Sequence, residues 1–65
     1  MKILLNNKEF TTDSNLISYL LKELNTDSST VIVTLNGNVL DKNKFPETIL
    51  NENDSVELFS FVGGG

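Results

Sequence analysis

One stretch of this chain carries apolar residues at helical spacing: Ile17, Leu20, Leu21 and Leu24 stand at i, i+3, i+4 and i+7. The other apolar residues fall in short β-branched or alternating runs, separated by Asn, Asp and Gly. A chain with one amphipathic helix and several strands buries the helical stripe against one face of a sheet. Ser18, Lys22 and Glu23 fall on the solvent side of this helix, with Leu16 and Tyr19 flanking the stripe. Asp13, Ser14 and Asn15 are all good N-cap residues, and Asn25 can take the left-handed conformation just past the last turn.

Turn chemistry divides the rest of the chain into strands. Residues 2–5 read as a first strand, Asn6-Asn7 supply the positive φ angles of a two-residue turn, and residues 8–12 return antiparallel. Ile3, Leu5 and Phe10 are the inward set of that hairpin. Residues 26–30 form a polar loop, and residues 31–35 are β-branched and apolar. Asn36-Gly37 follows, the strongest hairpin signal in the chain, because a type I′ turn needs φ > 0 at both central residues. The return strand, 38–40, is short, and residues 41–53 read as an irregular crossover mixing Phe45, Ile49 and Leu50 with polar residues around Pro46. After the Asn53-Asp54 turn, residues 55–61 alternate Val56 and Leu58 on one face with Glu57, Phe59 and Phe61 on the other. Hairpin, helix, hairpin, crossover, strand is the order of an α+β β-grasp (ubiquitin-like) fold, a mixed sheet of four to five strands with one main helix across one face. Residues 1–61 form this domain, and residues 62–65 a flexible C-terminal glycine tail.

Composition removes whole classes of function. A chain of 65 residues buries only roughly 60% of its unfolded surface, which leaves little room for an internal active site. With no Cys and no His it lacks the usual ligands of a metal centre and the commonest nucleophile and general base, so no catalytic residue and no metal site is assigned. A net charge of −4 and a pI near 4.4 argue against nucleic acid and favour a basic partner, to which Glu47, Glu52, Asp54 and Glu57 could pair. The opening Ile3-Leu4-Leu5 run is too short for a signal-peptide core or a membrane span, and the expected location is the cytoplasm.

Two features point outward. If the last strand lies beside the first, their shared outer face carries Leu4, Phe59 and Phe61, with Ile32 on a neighbouring strand, and this face is a candidate docking patch extended by Val62. The second is Gly63-Gly64-Gly65. A run without Cβ atoms cannot pack a core, but it can enter a slot too narrow for side chains and present the Gly65 carboxylate for chemistry on another protein.

Met1-Lys2-Ile3 with a strand ending at Asn6, the Leu20-Leu21-x-x-Leu24 helix, Val33-x-Leu35-Asn36-Gly37, Asn53-Asp54-x-Val56-Glu57-Leu58 and the terminal Phe61-Val62-Gly63-Gly64-Gly65 follow one another in order along essentially the whole chain. In these features the chain resembles the ThiS family of ubiquitin-like sulfur carriers of thiamin (thiazole) biosynthesis. The family's Asn-Gly turn near the N-terminus is Asn6-Asn7 here, and its terminal Gly-Gly falls on Gly64 and Gly65. The resemblance implies a protein co-substrate, not an enzyme. A ThiF-like adenylating partner would use ATP and magnesium to activate the Gly65 carboxylate, with Gly64 and Gly63 threading its active site and Phe59 and Phe61 anchoring docking. Sulfur from a persulfide donor, such as a cysteine desulfurase, would then yield a thiocarboxylate for a ThiG-like thiazole synthase. The alternatives are a carrier like the molybdopterin-synthase small subunit, whose tail usually has Pro or Ala before the glycines where this chain has Phe61-Val62, and a β-grasp module that binds without covalent chemistry.

Overall fold

The computed structural model describes residues 1–60. Two asparagine turns set up its sheet. Asn6 and Asn7 sit at φ 50° and 68°, Asn36 and Gly37 at 51° and 89°, the left-handed values a tight hairpin turn requires. The first turn folds β1 (Lys2–Leu5) back on β2 (Lys8–Thr11), and the second folds β3 (Val31–Leu35) back on β4 (Asn38–Val39). The last strand, β5 (Ser55–Ser60), enters the middle, so the order is β2-β1-β5-β3-β4. It runs parallel to β1, pairing Leu4 with Ser55 and Leu5 with Val56, and antiparallel to β3, from Val31 opposite Ser60 to Leu35 opposite Val56. With α1 (Ile17–Glu23) packed on one face, this is the mixed five-stranded β-grasp that the pattern predicts.

The core joins sheet and helix. Ile3, Val31, Val33 and Val56 come from the strands and Ile17, Leu20 and Leu21 from α1, all essentially without solvent exposure. Leu5, Phe10, Leu24 and Leu58 are partly buried against them. Phe45 and Leu50 close the core from the crossover, which is more ordered than an irregular segment: Lys42–Glu47 forms a 3-10 helix containing Pro46. The return strands of the two hairpins end one residue earlier than predicted, at Thr11 and Val39, and Ser18, expected on the solvent side, is half-buried.

The start of the helix departs from expectation. None of Asp13, Ser14 and Asn15 caps it; the cap position is Leu16, extended at φ −133° and ψ 148°, with no side-chain hydrogen bond. Tertiary backbone pairing satisfies the end instead: the Ile17 N–H donates to the Thr48 carbonyl at 3.0 Å, the Leu50 N–H to the Asn15 carbonyl at 2.9 Å, and Leu16 bridges antiparallel to Ile49. The polar groups ahead of the helix turn to its far end. Thr12, almost fully buried, donates through Oγ1 to Glu23 Oε1 at 2.5 Å, and Ser14 Oγ donates to the same oxygen at 3.0 Å. The predicted end of β5 at Phe61 and the tail of residues 62–65 lie outside the described residues.

Candidate functional site

Strand alternation sorts β5 between two faces. Val56 and Leu58 turn toward the helix, while Ser55, Glu57 and Phe59 turn away. Phe59 is 53% exposed and stands directly opposite half-buried Ile32 on β3. Leu4 is also exposed on this face, but it pairs with Ser55. It is thus displaced from Phe59 by four residues along β5, roughly 13 Å at about 3.3 Å per residue. The row between them is polar at its centre: Glu57 accepts a hydrogen bond from Thr34 Oγ1 at 3.1 Å. Leu4, Ile32 and Phe59 therefore share a face, as expected, but only Ile32 and Phe59 are cross-strand neighbours. Val39, 71% exposed and opposite Thr34 on β4, adds an apolar group to this face that sequence reasoning missed, because the register of a two-residue strand has no local signal. Phe61, Val62, Gly63, Gly64 and Gly65 lie outside the described residues.

Two turn asparagines grip β5 from opposite sides. Asn36 accepts the Ser55 N–H through Oδ1 at 2.9 Å and donates through Nδ2 to Asp54 Oδ1 at 3.1 Å, while its own N–H donates to the Ser55 carbonyl at 2.7 Å. Across the strand, Asn6 Oδ1 accepts the Leu58 N–H at 2.8 Å. Sequence reasoning used both residues only for their φ angles, since these partners are far away in the chain.

The acidic residues are divided among separate tasks. Asp54 is occupied by Asn36 and by the Asn51 N–H, Glu52 accepts the Lys2 N–H at 3.3 Å, and Glu47 is exposed on the 3-10 helix. Asp27, in the loop before β3, has a carboxyl held below its ordinary range by hydrogen bonds from the Ser29 hydroxyl and N–H, with a smaller effect of the Lys42 charge. Lys2 and Glu9 form an exposed ion pair at 3.5 Å, of little energetic weight. Among the described residues there is no enclosed pocket, no cluster of three or more His, Cys, Asp or Glu that could hold a metal ion, and no helix long and apolar enough to cross a membrane. What this geometry offers is a strand paired on both sides, with an exposed aromatic near its described end, leading in sequence to three glycines.

Residues 3–65 match the profile of the ThiS family. The chain belongs to the ThiS family. A crystal structure of a thiamine biosynthesis protein (ThiS) from Geobacter metallireducens is 35% identical, covers all of both chains and superposes with a TM-score of 0.85. A solution structure of a thiamine biosynthesis protein from the same organism gives 0.83, covering all of this chain and 88% of that one. These ThiS likenesses agree with the β-grasp topology described above. A thiazole synthase of Paramagnetospirillum magneticum is 32% identical over 66 residues, and the whole of this chain spans only 20% of its length. An uncharacterized protein ycf40 of Pyropia yezoensis is 39% identical over 49 residues, covering 75% of this chain and 69% of the relative.

Proposed function

We propose that this ThiS-family chain is a sulfur carrier of thiamin biosynthesis. In this reading a ThiF-like enzyme uses ATP and magnesium to adenylate the Gly65 carboxylate, releasing pyrophosphate. A carboxylate is a poor electrophile until one oxygen can leave within AMP; the outer sulfur of a persulfide, as on a cysteine desulfurase, then displaces AMP to give an acyl disulfide. A thiol reductant cleaves its S–S bond, leaving the thiocarboxylate and a mixed disulfide. A ThiG-like thiazole synthase receives the sulfur. Gly65 bears the chemistry, Gly64 and Gly63 thread the activating site, and the chain is a co-substrate that supplies position and a carbonyl, acting in the cytoplasm.

The observation that carries this reading is the family match running through residue 65, and so including Gly63-Gly64-Gly65. The likeness of the entire chain to one fifth of a thiazole synthase favours the thiazole route over a molybdopterin one, because a carrier domain joined to an acceptor enzyme is what a direct sulfur hand-off would select. The test is to incubate the untagged protein with the host's adenylating enzyme, ATP, magnesium, a persulfide donor and a thiol reductant, and to measure intact mass. A gain equal to replacement of one oxygen by sulfur, localised to Gly65, is expected. No gain, with the enzyme shown active on another carrier, would leave the non-covalent module. Gly64→Val is expected to fold normally and to lose activation, because a branched side chain blocks a narrow channel; normal thiocarboxylation of this variant would refute the threading role.

A further inference from the structure

We infer that Asn6 is a positioning residue whose side-chain oxygen stands in for its own backbone carbonyl as the next acceptor of the ladder and holds β5 in the sheet where β1 has already turned away. This rests on the carrier reading above, because β5 is the strand that leads in sequence to Gly63, Gly64 and Gly65.

The regular hydrogen-bond pattern shows the substitution. The Leu4 N–H donates to the Asp54 carbonyl and the Asn6 N–H to the Val56 carbonyl, both at 2.9 Å, the alternate-residue spacing of a parallel pair. The next rung of that ladder would run from the Leu58 N–H to the Asn6 carbonyl. At φ 50° Asn6 is already leaving strand geometry to make its turn, and its Oδ1 takes the rung at 2.8 Å. β1 ends at Leu5 while β5 continues to Ser60. On the other side β3 pairs with β5 as far as Ser60, so Asn6 supplies the matching hold on the β1 side at Leu58, next to exposed Phe59.

Position 6 thus needs two properties together: a backbone that accepts φ > 0 and a short side chain ending in an acceptor. Glycine has the first alone; Asn and Asp have both. A β5 that pivots at Leu58 delivers a carboxylate beyond Ser60 to a narrow slot less often, which lowers kcat/KM for activation without unfolding the domain.

The experiment compares wild type with Asn6→Gly and Asn6→Asp. Amide hydrogen exchange is followed by NMR, and kcat/KM is measured for thiocarboxylation by the adenylating enzyme with ATP, magnesium, a persulfide donor and a thiol reductant. In Asn6→Gly the Leu58 amide should exchange up to roughly tenfold faster and kcat/KM fall about three- to tenfold, the scale of one lost hydrogen bond. The Val56 amide should keep its rate, Tm should move by less than about 5 °C, and Asn6→Asp should restore both losses. Unchanged Leu58 exchange, unchanged kcat/KM, or a uniform acceleration of all β5 amides with a matching fall in Tm overturns the positioning role. A wild-type protein that gains no sulfur from an enzyme active on another carrier overturns the carrier reading instead, and the Leu58 exchange still decides whether Asn6 holds the strand.

Discussion

Asn6, Asn7, Asn25, Asn36 and Asn53 all have positive φ, and at each of them the backbone would be strained with a β-branched residue. Gly37 is the one glycine among the described residues, at φ 89° with open space where a Cβ would project. Gly37→Ala should therefore cost about 1 kcal/mol through backbone strain alone, with the strand pairs unchanged; urea denaturation measures it. At Asp27 the folded pKa is depressed by Ser29. Its contribution to stability is therefore present above the ordinary carboxylate range and is lost as pH falls through the lowered folded value. Ser29→Ala removes the hydroxyl bond and should move the Asp27 pKa back up toward the ordinary aspartate value, as read by an NMR titration of its carboxyl carbon. The φ roles of these residues were legible because Asn and Gly are the residue types that tolerate left-handed backbone. The grips of Asn6 and Asn36 on β5 were not, because they depend on which strand arrives alongside.

At the scale of elements, α1 was legible from its stripe and its start was not. Asp13, Ser14 and Asn15 have the right chemistry for a cap, yet the first turn is satisfied by the strand-like segment around Ile49. Asn15→Ala should thus stay within about 0.5 kcal/mol of wild type, against the roughly 1 kcal/mol lost at a working N-cap. The crossover shows the reverse case. Pro46 and the surrounding polar residues gave it no periodicity, but Phe45 and Leu50 are nearly fully buried. Leu50→Ala should cost about 2–5 kcal/mol. That is a large share of the total for a domain this small, on the order of 3–10 kcal/mol, and thermal unfolding should show a steep loss of Tm.

At the scale of the whole molecule, the sheet carries the helix on one face and presents Ile32, Phe59, Val39 and, further along, Leu4 on the other. Phe59→Ala should leave stability within about 0.5 kcal/mol while weakening association with the proposed activating enzyme or thiazole synthase by about 1–2 kcal/mol, the loss expected of an exposed aromatic that docks on a partner. Leu4→Ala, separated from it by the Thr34–Glu57 row, should weaken association less. Binding titrations of both variants distinguish one docking cluster from two, and association slowed by added salt would mark the basic partner expected for a net charge of −4. By itself the sequence determined α1, the five strands, their turns and the faces of β1, β3 and β5, because these follow from φ preferences and from spacings of two and 3.6 residues, which are local properties. Only the tertiary structure decided that β5 lies between β1 and β3, that Leu4 faces Ser55 and not Phe59, and that Asn6 and Asn36 hold the strand leading to the glycines. Those outcomes depend on the register between segments some fifty residues apart, such as Asn6 and Leu58, which is settled when the apolar faces close on one core.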